Sequence, residues 1–486
     1  MNEEFLALKL EIDIDSRSAQ VLDGQSKICN WLYNHLLEIG SELKKHFIVT
    51  KDPSAAKTVY TKRGLRNLVP AIKQEHHFLK VVHSSPLKNA ALRLTETIQA
   101  YQKSRKGKRK GAKTGWPKFR SWKRKWFSLF YDEPNKGFKV EDGKLILSLG
   151  MGQDRKQRLL ALILKEANLL KERNIRNLRI TCELGKYYAI FVVSKILPEK
   201  KPINKVIALD PNHKNFAYGV DTDREAMEIA APLWLKTYDK RLDELTSKRA
   251  RCNKKSKVIS ILDEKGNPTG KEFYKPSKRW SHYDSVIKKM LYKRREQTKT
   301  FMYTAAHVLF KKYDCVAIGD YTPHGEGDNS SMRRGMNNRS LIGRWKKVLS
   351  WVGVKSGKTF MEFDEKNTTR ECNHCKKIEP GGIPVSVRQW QCSGCQTIHI
   401  RDENAAINGL GKVLRDLSTK CKGENPLIVS SSDPIFVKKR WAWCVFPSGV
   451  KKTLRGKNSN EDCSSRKLNR ERGSSRSKPD NLFSYV

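Results

Sequence analysis

Apolar and polar residues alternate from Phe5 to Ile14, with Leu6, Leu8, Leu10 and Ile12 two apart, which predicts a half-buried strand near the start of the chain. The period then changes. Val21, Ile28, Leu32, Leu36 and Leu37 recur at helical intervals, further helical runs cover Leu65–Leu79 and Pro86–Tyr101, and together they predict a helical module over 16–102. Strand patterns return at Gly137–Leu149, turning at Asp142 and Gly143, and at Leu178–Val193, turning at Gly185 and Lys186. Between them Lys156–Arg173 reads as a helix. The first strand and the later hairpins predict a β-barrel, over 1–15 and 103–197, which the helical module interrupts.

Leu197–Lys205, with Pro198 and Pro202, reads as a linker into a second half. There Val206–Leu209 is an apolar run ending in Asp210, and Phe216–Asp221 reads as the returning strand. A helix at Lys288–Leu309, a strand at Cys315–Ile318 before Gly319 and Asp320, a helix at Asn337–Val352 and a strand at Thr359–Phe363 follow. This alternation is the order of an RNase H-like α/β sheet, in which the parallel strands share one C-terminal edge. Asp210, Asp320 and Glu365 are therefore expected to converge there. Asp402 opens a helix through Ala405, Ala406, Ile407, Leu410 and Leu414, from which it projects onto the same edge. Beyond Lys422 the periodicity fades. This predicts a basic, largely disordered tail over 423–486, with Trp441–Phe446 an apolar patch of no assigned role.

Charge and cysteine spacing change the picture. The 486 residues carry 97 Lys and Arg against 51 Asp and Glu, a formal net charge of +46, which suits a polyanionic partner. No amphipathic anchor or long apolar run argues for a membrane. The acidic, then apolar, start lacks the features of a secretory leader, and the 11 cysteines suit a reducing compartment, so a cytoplasmic, nucleoid-associated protein is expected. Within Lys103–Lys125, Lys106, Arg109, Lys110, Lys118 and Arg120 are interleaved with Trp116, Phe119 and Trp122. That pairing of cations with stacking surfaces predicts nucleic-acid binding. Cys372 with Cys375, and Cys392 with Cys395, have the spacing of a zinc ribbon holding one structural Zn²⁺. Four thiolates fill a tetrahedral site, so His374 and His399 read as surface or phosphate-contacting residues.

The second half, from Lys205 to Leu417, resembles the RuvC nuclease domain of TnpB, the transposon-encoded RNA-guided nuclease related to type V CRISPR effectors. The resemblance rests on IALDPNHKNFAYG, VAIGDYTP, CNHC with CSGC, and RDENAAINGL in that order, and GWPKF at Gly115–Phe119 looks like the family's wedge-domain entry. It implies a wedge β-barrel with an inserted helical recognition module. It also implies a RuvC domain over 205–365 and 397–418, with a zinc ribbon inserted at 366–396. The implied activity is that of an RNA-guided DNA endonuclease, which uses a guide RNA from the transposon end and cuts double-stranded DNA beside a short adjacent motif; the oligomeric state is not predicted, with a monomer preferred. Arg333 and Arg334 then read either as holding a strand across the active-site mouth or as part of a solvated loop.

Two departures matter. Asp210 is followed by Pro211 and Asn212 where the family commonly has glycine two residues on, and Gly319 stands where it has glutamate before Asp320. The resemblance implies two catalytic Mg²⁺ ions, with Asp210 and Asp402 at the first and third positions of the ligand triad. For the remaining carboxylate Glu365 is favoured, and Asp320, Glu362 and Asp364 stay open. A glutamate on this strand resembles a TnpB sublineage and the eukaryotic Fanzor proteins. The alternative function is an RNA-guided DNA-binding protein that has lost cleavage.

Overall fold

The computed structural model describes residues 3–109, 113–120, 126–152, 156–212, 216–253, 257–262, 266–321, 340–384, 386–420, 437–446 and 449–455. The chain divides into two units between Ile196 and Leu197.

In the first unit β1 (Glu3–Asp13) leads into α1 (Ser16–Thr50), which starts where the Asp15 carboxylate accepts the Ser18 N–H at 2.8 Å. The Leu65–Leu79 run divides. After α2 (Pro53–Tyr60), α3 (Gly64–Asn67) stops before α4 (Val69–Glu75), whose first turn holds Pro70, a residue without the N–H needed to continue a helix. The helix α5 (Ser84–Arg105) packs Ala91, Leu94 and Ile98 into the same core as Leu32 and Leu36 of α1.

Six strands complete this unit's sheet: β2 (Leu129–Tyr131), β3 (Phe138–Glu141), β4 (Lys144–Met151), β5 (Gln157–Leu164), β6 (Ile175–Glu183) and β7 (Lys186–Ile196). Their order is β2-β6-β7-β1-β5-β4-β3, and the sheet's outer strands, β2 and β3, are not paired with each other. The helix expected over Lys156–Arg173 is absent. Its apolar run forms β5, which pairs with β4 and β1, followed by a 3₁₀ turn at Ala167–Leu170. Leu162 and Leu164 enter the core while Leu159 and Ile163 face outward, so sheet pairing overrides the helix preference of a Leu-rich run.

The second unit holds β8 (Val206–Pro211), β9 (Ala217–Asp221), β10 (Glu225–Ile229), α6 (Leu233–Asn253), the hairpin β11 (Lys257–Leu262) and β12 (Pro268–Lys275), and α7 (Lys278–Lys312). Then come β13 (Cys315–Gly319), α8 (Ile342–Ser356), β14 (Thr359–Phe363), a hairpin of β15 (Gln389–Gln391) and β16 (Ile398–Ile400), and α9 (Arg401–Lys420). Last are β17 (Lys439–Phe446) and β18 (Gly449–Arg455).

The main sheet runs β14-β13-β8-β9-β10-β17-β18. β13 pairs in parallel with β14 and β8, and β9 runs antiparallel between β8 and β10. Alternation along each strand separates two cores. Ile207, Leu209, Val316 and Ile318 pack with α7 and α8, including Phe301, Leu309, Trp345 and Leu349. Val206, Ala208, Cys315 and Ala317 pack with Ala406, Leu410 and Val413 of α9. A sheet covered on both faces explains why its strands read as short unbroken apolar runs. The expected disordered tail is corrected in part. Trp441–Phe446 lies within β17, which pairs in parallel with β10, and β18 pairs with β17.

Candidate active site

Three parallel strands end together. Register pairs Leu209 with Ile318 and Ile318 with Glu362, so Asp210, Gly319 and Phe363 stand level and Glu365 lies just beyond. Asp210, half-buried, has its carboxyl pushed well above the usual range, first by burial and then by the neighbouring Glu365 and Asp402, with Arg401 opposing. Glu365 is raised to about 7, first by burial and then by Asp320, while Lys346 opposes the shift. Its Oε1 is buried with no hydrogen-bond partner. A Cβ built on Gly319 would overlap the Glu365 carboxylate, so this side chain occupies space that any other residue at 319 would need.

The remaining acids are engaged differently. Asp320 Oδ1 accepts the Glu365 N–H at 3.1 Å, and the Asp320 N–H donates to the Phe363 carbonyl at 2.9 Å. Glu362 accepts from Lys346 Nζ at 2.9 Å. Asp364 Oδ1 accepts the Lys366 N–H at 2.8 Å. Asp402 is buried in the first turn of α9. Its oxygens accept from Arg388 Nη1 at 3.3 and 3.2 Å and from Asn212 Nδ2 at 3.3 Å. The approach of α9 to β14 depends on Gly409, where a Cβ would run into the Phe363 ring. Among the described residues, the four cysteines are the group of three or more candidate ligands within 4.8 Å of one another; Asp210, Glu365 and Asp402 stand further apart.

Cys372 and Cys395 have sulfurs 3.6 Å apart, and Cys375 and Cys392 3.5 Å. A tetrahedral ion with bonds of about 2.3 Å places its sulfurs about 3.8 Å apart, so the cage fits Zn²⁺. Backbone N–H groups of Cys375 and Gly394 point to the Cys372 and Cys392 sulfurs at 3.5 and 3.3 Å. His399 is buried rather than on the surface: its Nε2 lies 3.0 Å from Cys372 Sγ and its ring packs on Trp390 at 4.8 Å. Asn404 and Asn408, to which sequence reasoning gave no role, tie the ribbon to α9. Asn404 donates to the Thr368 and Glu371 carbonyls at 3.2 and 2.8 Å and accepts the Asn373 N–H at 3.0 Å, while Asn408 donates to the same two carbonyls at 3.0 and 2.7 Å. The available signal was two asparagines four apart on a helix whose same stretch is rich in alanine and isoleucine. Arg388 carried no sequence signal beyond its place between the cysteine pairs.

The basic, aromatic segment is less uniform than its composition. Lys106, Arg109, Lys118 and Phe119 are exposed. Trp116 and Arg120 instead serve the helical module. The Trp116 indole donates to Ser41 Oγ at 3.1 Å beneath Lys44. Arg120 stacks on Tyr33 at 3.6 Å and donates to Asn30 Oδ1 at 2.8 Å. Lys110, Trp122, Arg333 and Arg334 lie outside the described residues.

Residues 343–409, from α8 into α9, match the family model described as Cas12f1-like, TNB domain. No curated protein matches the chain. Among solved structures, a Cas12f1–sgRNA–target DNA complex matches with a TM-score of 0.51 and 10% identity, covering 84% of this chain and 99% of that one. A CasPhi-2 (Cas12j) structure bound to crRNA matches at 10% identity over 90% of this chain and 99% of that one, with a TM-score of 0.37. The chain is thus similar in fold to Cas12f1, and over residues 343–409 to the TNB domain of Cas12f1-like proteins.

Proposed function

We propose that the chain is an RNA-guided DNA endonuclease of the TnpB and type V group, with a RuvC site built from Asp210, Glu365 and Asp402. The observation that carries this reading is the Glu365 carboxylate lying over Gly319, with one buried oxygen left without a partner. The glutamate missing from position 319 thereby has a counterpart rooted two residues beyond the adjacent strand. Asp320, Glu362 and Asp364 are the alternatives; their carboxylates accept from the Glu365 N–H, Lys346 and the Lys366 N–H, and only Glu365 overlies Gly319.

Hard carboxylate oxygens in an enclosed, mutually repelling cluster suit Mg²⁺. When bound, such ions stabilise the attacking water and the leaving oxygen of a phosphodiester. Asp210, Glu365 and Asp402 would hold them. Asn212 and Arg388 orient the Asp402 carboxylate, and the Asp320 carboxylate holds the Glu365 backbone. Water adds at phosphorus as the bond to the 3′ oxygen breaks, leaving a 5′ phosphate and a 3′ hydroxyl. The proposed assignments of 1–15 and 103–197 as wedge domain, 16–102 as recognition module, 205–365 and 397–418 as RuvC, and 366–396 as ribbon accompany this function. A guide RNA from a transposon end supplies sequence recognition by base pairing. The protein is proposed to act as a cytoplasmic, nucleoid-associated monomer in a lineage that, like Fanzor, has its central glutamate relocated.

The test is purification with the flanking DNA expressed, sequencing of the RNA that accompanies the protein, and addition of matching double-stranded DNA with Mg²⁺. Guided cuts bearing 5′ phosphates are expected. Asp210→Ala should lose more than the roughly hundredfold typical of outer-shell partners. Equal cutting by Asp210→Ala would defeat the site assignment. Intact DNA at full target occupancy, with Mg²⁺ or Mn²⁺, would establish a binding protein without cleavage.

A further inference from the structure

The first turn of α9 carries a second acid, Glu403, beside Asp402. Glu403 is buried, and a buried carboxylate needs matched charge and hydrogen bonds. Arg440 supplies both through a two-pronged contact, Nε to Oε2 at 2.7 Å and Nη2 to Oε1 at 2.9 Å. The Tyr218 hydroxyl donates to Oε2 at 2.8 Å. A guanidinium fork on a carboxylate fixes orientation as well as charge.

These partners come from strands of one sheet that lie far apart in the sequence. Tyr218 lies on β9, and Arg440 on β17, where it pairs with Ala226 of β10. The opposite side of the same helical start is held by Asn404 and Asn408 through the Thr368 and Glu371 carbonyls. The turn presenting Asp402 is therefore fastened from two directions, one of them by a strand that follows every proposed metal ligand in the sequence.

We infer that Arg440 is a positioning residue for the Asp402 carboxylate, acting through Glu403, so that β17 is a working part of the catalytic unit. This rests on the nuclease reading above. Arg440 sits 45% exposed on its side chain and belongs to neither buried core, so its replacement removes no core side chain.

The test uses the full chain with its accompanying RNA, as wild type, Arg440→Ala, Arg440→Lys, Glu403→Ala and the Arg440→Ala/Glu403→Ala double variant. Single-turnover cutting is measured with target half-saturation, zinc content and the Mg²⁺ concentration that half-saturates thermal stabilisation. Arg440→Ala is expected to cut about ten- to a hundredfold more slowly, to need about tenfold more Mg²⁺, and to keep wild-type target half-saturation. Arg440→Lys should recover part of the rate. Because Arg440 acts through Glu403, the double variant should be no slower than the slower single variant. The inference is overturned if Arg440→Ala matches wild type in rate and Mg²⁺ half-saturation, if its loss tracks target affinity or zinc content, or if the two substitutions multiply. Should wild type itself leave DNA uncut, the nuclease reading falls and the Mg²⁺ titration alone decides the role of Arg440.

Discussion

A buried carboxylate oxygen without a hydrogen-bond partner is costly, and Glu365 Oε1 is one such atom. Because it lies above Gly319, any side chain at position 319 must displace it. Gly319→Ala should displace Glu365 and slow guided cutting about tenfold or more, whereas Gly319→Glu combined with Glu365→Gly should recover activity over Glu365→Gly alone; cleavage rates of the three variants check this. The raised Glu365 carboxyl has a thermodynamic counterpart in metal-free protein. A folded-state value near 7, above the ordinary 4.5, favours folding below 4.5, and that contribution is lost as pH rises through about 7. The thermal midpoint of metal-free protein should therefore fall across this window, and Glu365→Gln should flatten the fall. Asp320, Asp364, Lys346 and Asp210 all bear on this titration. Strand order and the resemblance favoured Glu365 from sequence, with Asp320, Glu362 and Asp364 left open, but neither showed its relation to position 319. That relation depends on the empty space above one glycine and joins residues 46 positions apart.

Elements were legible where one period ruled a segment. β1 alternates because one face meets the core, and β8 and β13 read as apolar runs because helices cover both faces. β5 was misread because Leu159, Leu160, Leu162, Ile163 and Leu164 satisfy either period, and only pairing with β1 and β4 decides between them. β17 escaped notice because its partner, β10, lies far upstream. The ribbon was visible in cysteine spacing, whereas its attachment to α9 through Asn404 was not. Asn404→Ala leaves the Asn373 N–H without its partner while Asn408 still serves the Thr368 and Glu371 carbonyls, a cost of about 1–3 kcal/mol, so a lower thermal midpoint is expected in a melting experiment. Cys375→Ser should remove the one zinc per chain that elemental analysis is expected to find. Cutting should fall while guide binding persists, because the ribbon's Arg388 reaches Asp402.

Over the whole molecule, the net charge of +46 sets the energetics of association more than any single contact does. Between about 50 and 200 mM salt, affinity for a duplex target should fall about a thousandfold or more, as for proteins neutralising several phosphates, and a filter-binding series would measure the slope. Composition alone made that property readable. It did not distinguish cations that meet solvent, such as Lys118, from those spent inside the protein, such as Arg120 over Tyr33.

The parallel pairing of β17 with β10 also has a consequence in time. Synthesis runs from the first residue onward, so the ribosome makes Asp210, Glu365 and Asp402 well before Arg440. On the inference drawn for Arg440, a nascent chain holds all its cutting acids while the turn bearing Asp402 is fastened from one side only. On that inference the acids precede the strand that steadies them, and the turn bearing Asp402 is held from both sides only once β17 has been made.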